Sequence, residues 1–205
     1  MPAGDILGVI VLLCAGRGAN VEVTFAAIEK EFSETFGYVR QDIKAILDTN
    51  PNLHYTLGLL ICCACEMLAE QKGLKKHEVF TSLLPNTEPY PVIGERMFEA
   101  LRNGLAHGFR PKTLVGSHQW RFRIGHQGPI VSITEGRPNW VELNVKALNE
   151  RVRAKIDAYE EELRDSPSAR LEFRKRSTSP EVNKQIPARE AEAWKSLLTS
   201  KRPGH

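Results

Sequence analysis

The chain has 205 residues, 41% of them hydrophobic and 26% charged, with a formal net charge of +3. Those proportions describe a globular protein that can bury a core without disulfide staples, and they exclude collagenous, low-complexity or strongly polycationic chains. The charge is uneven: residues 166–205 carry a net of +5 and residues 1–165 a net of −2, so the basic excess belongs to the tail.

Residues 6–15 read ILGVIVLLCA. Ten apolar residues are too few to span a bilayer as a helix. A signal peptide would carry positive charge before them, and only Asp5 stands there. Leu13 occupies the place before Cys14 where a lipoprotein signal needs a small residue. The expectation is a core strand or buried helix, a cytoplasmic protein, and no membrane association. The other cysteines are Cys62, Cys63 and Cys65. Neighbouring cysteines on a helix cannot build a secreted disulfide framework, which implies a reducing compartment. No second CxxC pair answers Cys62 and Cys65, so they read as buried small residues rather than a zinc site. No metal and no cofactor is expected.

Residues 21–49 carry Phe25, Ile28, Phe32, Phe36, Val39, Ile43 and Leu47 at helical spacing, with Gly37 as a weak point and Pro51 beyond the end. A second helix over 52–72 carries Leu53, Leu57, Leu60, Ala64 and Met67 and stops at Gly73. The link is short, so the two should pack antiparallel. A shorter helix covers 75–84, and 86–91 is turn-rich.

Residues 95–112 read ERMFEALRNGLAHGFRPK. Met97, Phe98, Leu101 and Leu105 make one apolar stripe, and Gly108 and Pro111 give a hard stop. Within it, Asn103 and His107 are four apart and share a face. Arg102 lies further round, with a side chain long enough to bend toward that face. Gly104 and Gly108 leave the region without bulk, open to another backbone or a ligand. Arginine can clamp a phosphate with two parallel hydrogen bonds, and histidine can carry a proton near neutral pH. The plainer reading is a surface arginine beside an Asn–His pair that caps or bridges helices.

After Pro111 the period changes. Residues 120–124, 130–134 and 140–145 read as short strands separated by Gly128-Pro129 and Gly136 to Asn139. Arg121 and Arg123 share one strand face, with Trp120, Phe122 and Ile124 on the other. With Arg110 and Lys112 they form either a solvated basic face or a phosphate-tracking surface beside the motif. Val145, Leu148, Val152, Ile156, Tyr159 and Leu163 then mark a long final helix. Beyond Asp165 the chain reads as a basic, partly disordered tail, with a short helix over 188–198 around Trp194 and a charged run at 174–176 that reads as a solvated, flexible stretch, with attraction to RNA or a partner contact as the second reading. No phosphate loop, GxSxG elbow or HExxH pattern is present in the sequence, which disfavours those hydrolases and ATP-driven chemistry.

The run Arg102-Asn103-x-x-x-His107 on a late helix of a helical chain resembles the HEPN superfamily, whose mark is an arginine, usually followed by a polar residue, and a histidine after four to six residues. The resemblance covers the helical pattern of 21–108 and 144–164. It implies a metal-independent ribonuclease, with Arg102 on the scissile phosphate, Asn103 orienting and His107 exchanging a proton while the ribose 2′-hydroxyl attacks. It also implies a homodimer with two motifs facing one cleft. Other members of that superfamily bind nucleotides, RNA or a protein partner without cutting.

The fold expected is therefore mainly α. It is a HEPN-like bundle of four or five helices over 21–165, with a small antiparallel β-meander inserted at about 118–145 before the last long helix. The N-terminal segment 1–20 joins the core or stays flexible.

Overall fold

The computed structural model describes residues 23–50, 53–108, 110–116 and 118–177. The apolar segment at 6–15, Cys14 and the helix expected at 188–198 lie outside the described residues. The chain is mainly helical with a small four-stranded sheet. Among the described residues no helix is long and apolar enough to cross a membrane.

The first amphipathic run forms α1 (Ala26–Arg40) and α2 (Asp42–Thr49). The two are one hydrogen-bonded path with a kink at Gln41, whose amide reaches Gly37 O at 2.9 Å and whose carbonyl receives Ala45 N at 2.8 Å. Ile28, Phe32, Phe36, Val39 and Ile43 of the stripe are buried. Helix α3 (His54–Lys72) is central: Leu57, Ile61, Cys62, Ala64, Cys65, Leu68 and Ala69 are buried, well beyond one stripe. A helix that is apolar most of the way round must be covered most of the way round. Gly73, at φ 67°, closes it with the paired bonds Gly73 N to Glu70 O and Leu74 N to Ala69 O. Burial pushes the thiols of Cys62 and Cys65 far up.

Helix α4 (Lys76–Thr81) precedes α5 (Tyr90–Gly108). Helix α5 begins earlier than the periodicity suggested, because Pro91 falls in the first turn, where a missing N–H is tolerated. After Gly108 the chain doubles back along α5: Lys112 N donates to Ala100 O at 2.9 Å. Gly104 allows this, since a Cβ there would lie 2.4 Å from Arg110 O and 2.5 Å from Lys112 N. Of the two close approaches expected at Gly104, another backbone or a ligand, the chain's own backbone takes the place.

The strands are β1 (Leu114–Val115), β2 (Gln119–Gly125), β3 (Val131–Thr134) and β4 (Asn139–Asn144). They do not form the expected antiparallel meander. The order is β1-β2-β4-β3, with β4 parallel to β2 and antiparallel to β3. Burial explains it: Asn139, Val141, Leu143 and Asn144 are all buried, while Ile133 and Thr134 of β3 are exposed. The strand covered most takes the middle place, and the half-exposed one takes the edge. Phe122 and Ile124 face inward, and Ile124 comes so close to Gly58 of α3 that a Cβ there would meet its Cδ1 at 2.8 Å.

Strand β4 runs directly into α6 (Val145–Asp165) through Asn144. Its side-chain oxygen accepts from Lys146 N at 3.0 Å and Ala147 N at 3.1 Å, while its amide donates to Gly128 O at 2.6 Å. The tail expected from residue 166 instead begins as a docked helix, α7 (Pro167–Ser177). Phe173 is fully buried against Phe32 and Tyr159. Buried Arg170 donates to the carbonyls of Val23, Leu163 and Arg164, capping the end of α6.

Because the atoms nearest Gly104 are backbone, a methyl there cannot be absorbed by a rotamer change. Gly104→Ala is expected to destabilise the fold by about 1–3 kcal/mol, lowering the melting temperature by about 2–4 °C for each kcal/mol. Gly37→Ala, with nothing within 4 Å, should instead be neutral or stabilising by up to about 1 kcal/mol. Thermal melts followed by circular dichroism separate the two. Equal behaviour of both variants would refute the packed return segment.

Candidate functional site

The reversal after α5 brings three parts of the chain around one open groove of 760 Å³. Asn103 and His107 come from α5, one turn apart as their spacing required. Arg110 and Lys112 come from the return segment. Arg121 and Trp140 come from the outer face of the sheet, and Tyr55 from the first turn of α3. His107, Arg110, Lys112 and Arg121 are exposed and Asn103 is half-buried. No carboxylate is among the described residues that line this groove.

Five of the seven residues singled out in the sequence therefore meet: Asn103, His107, Arg110, Lys112 and Arg121. Arg123 does not line the groove. It lies along the same exposed strand face, with its guanidinium carbon 4.3 Å from the centre of the Trp140 ring; that of Arg121 is 5.9 Å away. Trp140 pairs with Arg121 in the β2–β4 register, so the indole sits beside both cations.

Arg102 is the exception that matters. Its Nε donates to Glu66 Oε1 at 3.0 Å and its Nη2 to Glu66 Oε2 at 3.3 Å, across the contact between α5 and α3. The hydrogen bond to Glu66, and then the Glu66 charge, raise the Arg102 pKa further, so it stays a cation. Glu66 is only 18% exposed and has Lys76 as a second cation at 3.7 Å. The expected bend of Arg102 toward the Asn103–His107 face is thus replaced by a two-pronged grip on a neighbouring helix.

Sequence reasoning missed Glu66, Tyr55 and Trp140. Glu66 carried a signal: it is the lone charge in the run 57–69 of α3, and a carboxylate in such a helix needs a partner. Trp140 carried none, because only the parallel strand register sets it beside Arg121.

A second feature borders the groove. His54, the residue before Tyr55, stacks on His126 with ring centres 4.9 Å apart and planes at 22°. His54 Nδ1 is buried with no hydrogen-bond partner among the described residues. Burial first, and the neighbouring His126 second, lower the His54 pKa. In comparisons with protein-family models, with characterised proteins and with solved structures, nothing matches the chain.

The lowered pKa of His54 fixes the sign of a pH effect. An unfolded histidine titrates near about 6.5, so below that pH the unfolded chain binds a proton that folded His54 resists. Stability should fall as pH drops from about 6.5 through the lowered folded value, and then level off. Urea unfolding between pH 7.5 and 5 should show this slope, reduced in His54→Gln. An identical slope in the variant would assign the acid loss to other groups.

Proposed function

We propose that the groove binds single-stranded RNA along its sugar–phosphate backbone, and that the chain is a HEPN-like RNA-binding protein with a HEPN-like bundle. One observation carries this reading. Asn103, His107, Arg110, Lys112 and Arg121 line a single groove with no carboxylate among the described residues around it. Phosphates are drawn to clustered cations, and the rings of Tyr55 and Trp140 add faces on which bases stack. An amide and an imidazole between those cations suit the ribose hydroxyls that distinguish RNA from DNA.

Cleavage is the second reading, and the exposure of His107 on the groove wall favours it. The 2′-oxygen would bond to phosphorus, the bond from phosphorus to O5′ would break, and a 2′,3′-cyclic phosphate would form. One proton leaves the 2′-hydroxyl and one reaches O5′. A single His107 handles one of the two, and the homodimer that the motif implies would supply the other from a second copy. A protein or nucleotide partner in the same groove is the remaining alternative.

Binding of a 20-nucleotide single-stranded RNA should weaken with salt, and each of Arg110→Ala, Lys112→Ala and Arg121→Ala should lower the salt slope by about 0.7. Fluorescence anisotropy over a salt series measures this, and unaltered affinity in all three variants would remove the groove from consideration. In the presence of a chelator, RNA cleavage by the unaltered chain should fall by about 10² to 10⁴ in His107→Ala if that imidazole moves a proton. Intact RNA after prolonged incubation ends the cleavage reading and leaves binding standing.

A further inference from the structure

Helix α5 is held on both flanks of its buried stripe. At about 100° per residue, Met97, Phe98, Leu101 and Leu105 define the buried side, and Arg102 falls on one edge of it. Gly104 falls on the other edge, and Asn103 and His107 lie beyond. On the first edge Arg102 is tied to Glu66 of α3 by two hydrogen bonds of 3.0 and 3.3 Å. On the second, the backbone of 110–112 lies against Gly104, with Lys112 N bonded to Ala100 O. A modest roll of the helix breaks the pair on one side and drives Gly104 into backbone on the other.

Arg102 and His107, five positions apart, point about 140° away from each other round the helix. For the Arg102 guanidinium to reach a phosphate beside His107 it must leave Glu66, whose carboxylate is four-fifths covered and would keep only Lys76 at 3.7 Å. Leaving this half-buried carboxylate with only the longer contact to an exposed lysine is unfavourable. Arg110, Lys112 and Arg121 already line the groove and need no such exchange.

We infer that Arg102 is a positioning residue: through Glu66 it fixes the roll of α5 that turns Asn103 and His107 into the groove, and it leaves the grip on phosphate to Arg110, Lys112 and Arg121. The last clause rests on the RNA-binding reading; the positioning role does not. Glu66 thereby becomes part of the site without touching the ligand.

Glu66→Gln, Arg102→Gln and the double variant test this, with oligouridylate as the probe and the His107 ring signals in proton–carbon correlation spectra as a second readout. Positioning predicts that each single change shifts the His107 signals and weakens oligouridylate binding by a similar factor. The salt slope stays unchanged, and the double variant is no worse than either single one. A direct phosphate clamp predicts opposite signs: Glu66→Gln binds as well or better, while Arg102→Gln binds worse with a slope lower by about 0.7. That pattern overturns the inference.

If the unaltered chain ignores oligouridylate, the RNA reading falls, and the His107 spectra still decide the positioning role. Unmoved signals in both single variants refute it, and shifted signals support it. Should Arg102→Gln not fold, Arg102→Lys takes its place. An ammonium keeps the charge opposite Glu66, so the His107 signals should stay closer to those of the unaltered chain than in Glu66→Gln, and larger shifts than in Glu66→Gln count against the pair.

Discussion

The fold turns on the contact between the last two turns of α5 and the segment that follows it. Gly104 has no side chain, so the backbone of 110–112 lies directly on the helix and Lys112 N reaches Ala100 O. Everything downstream takes its direction from that reversal. It delivers β2 beside α3, where Ile124 fills the space left by Gly58. It also puts Arg110 and Lys112 within one groove of His107. One missing Cβ therefore couples the packing of the sheet to the composition of the site.

The second constraint is the burial of α3. Its neighbours include α1, α4, α5, α6, α7 and β2, and its small residues Gly58, Cys62, Ala64, Cys65 and Ala69 let them approach. Close packing of this kind tolerates few polar atoms. Glu66 is the one charge in the middle of the helix, and Arg102 and Lys76 meet it. The Arg102–Glu66 pair follows from solving a burial problem on α3 as much as from any demand of α5.

The helices were legible in the sequence because their apolar residues repeat every three or four positions, and the stripe of α1 and α2 is buried from Ile28 to Ile43, with Phe25 and Leu47 half-buried at its ends. The kink at Gln41 was not, since both sides of it keep the same periodicity and the hydrogen bonds run through. The order of the strands was not legible either. Alternation tells which residues share a face, and it does so correctly for Arg121, Arg123, Phe122 and Ile124. It says nothing of which strand stands next to which. That choice went with β4 being buried at Asn139, Val141, Leu143 and Asn144, a property of its neighbours. Helix α7 was hidden for a different reason. Its charged surface imitates a solvated tail, and its attachment rests on Phe173 and Arg170, two side chains that no periodic signal marks.

The same distinction governs the candidate site. Asn103 and His107 were placed correctly because residues four apart on a helix must share a face. The direction of Arg102 was not legible, because the reach of a side chain does not fix where it points. A guanidinium has reach in every direction, and what decides among them is the carboxylate that most needs it. Glu66, four-fifths covered, offers a geometry that accepts two donors at once, whereas the groove is open to water and already holds three cations. Electrostatics alone would resist adding a fourth to the groove and would favour sending it to the half-buried acid. Arg102 and His107, five positions apart on the helix, are thus two half-sites about 140° from each other. Uniting them on one phosphate requires that the arginine side find no better anion in its own fold. In this chain it finds one, and the chemistry of the groove follows from the residues that remain.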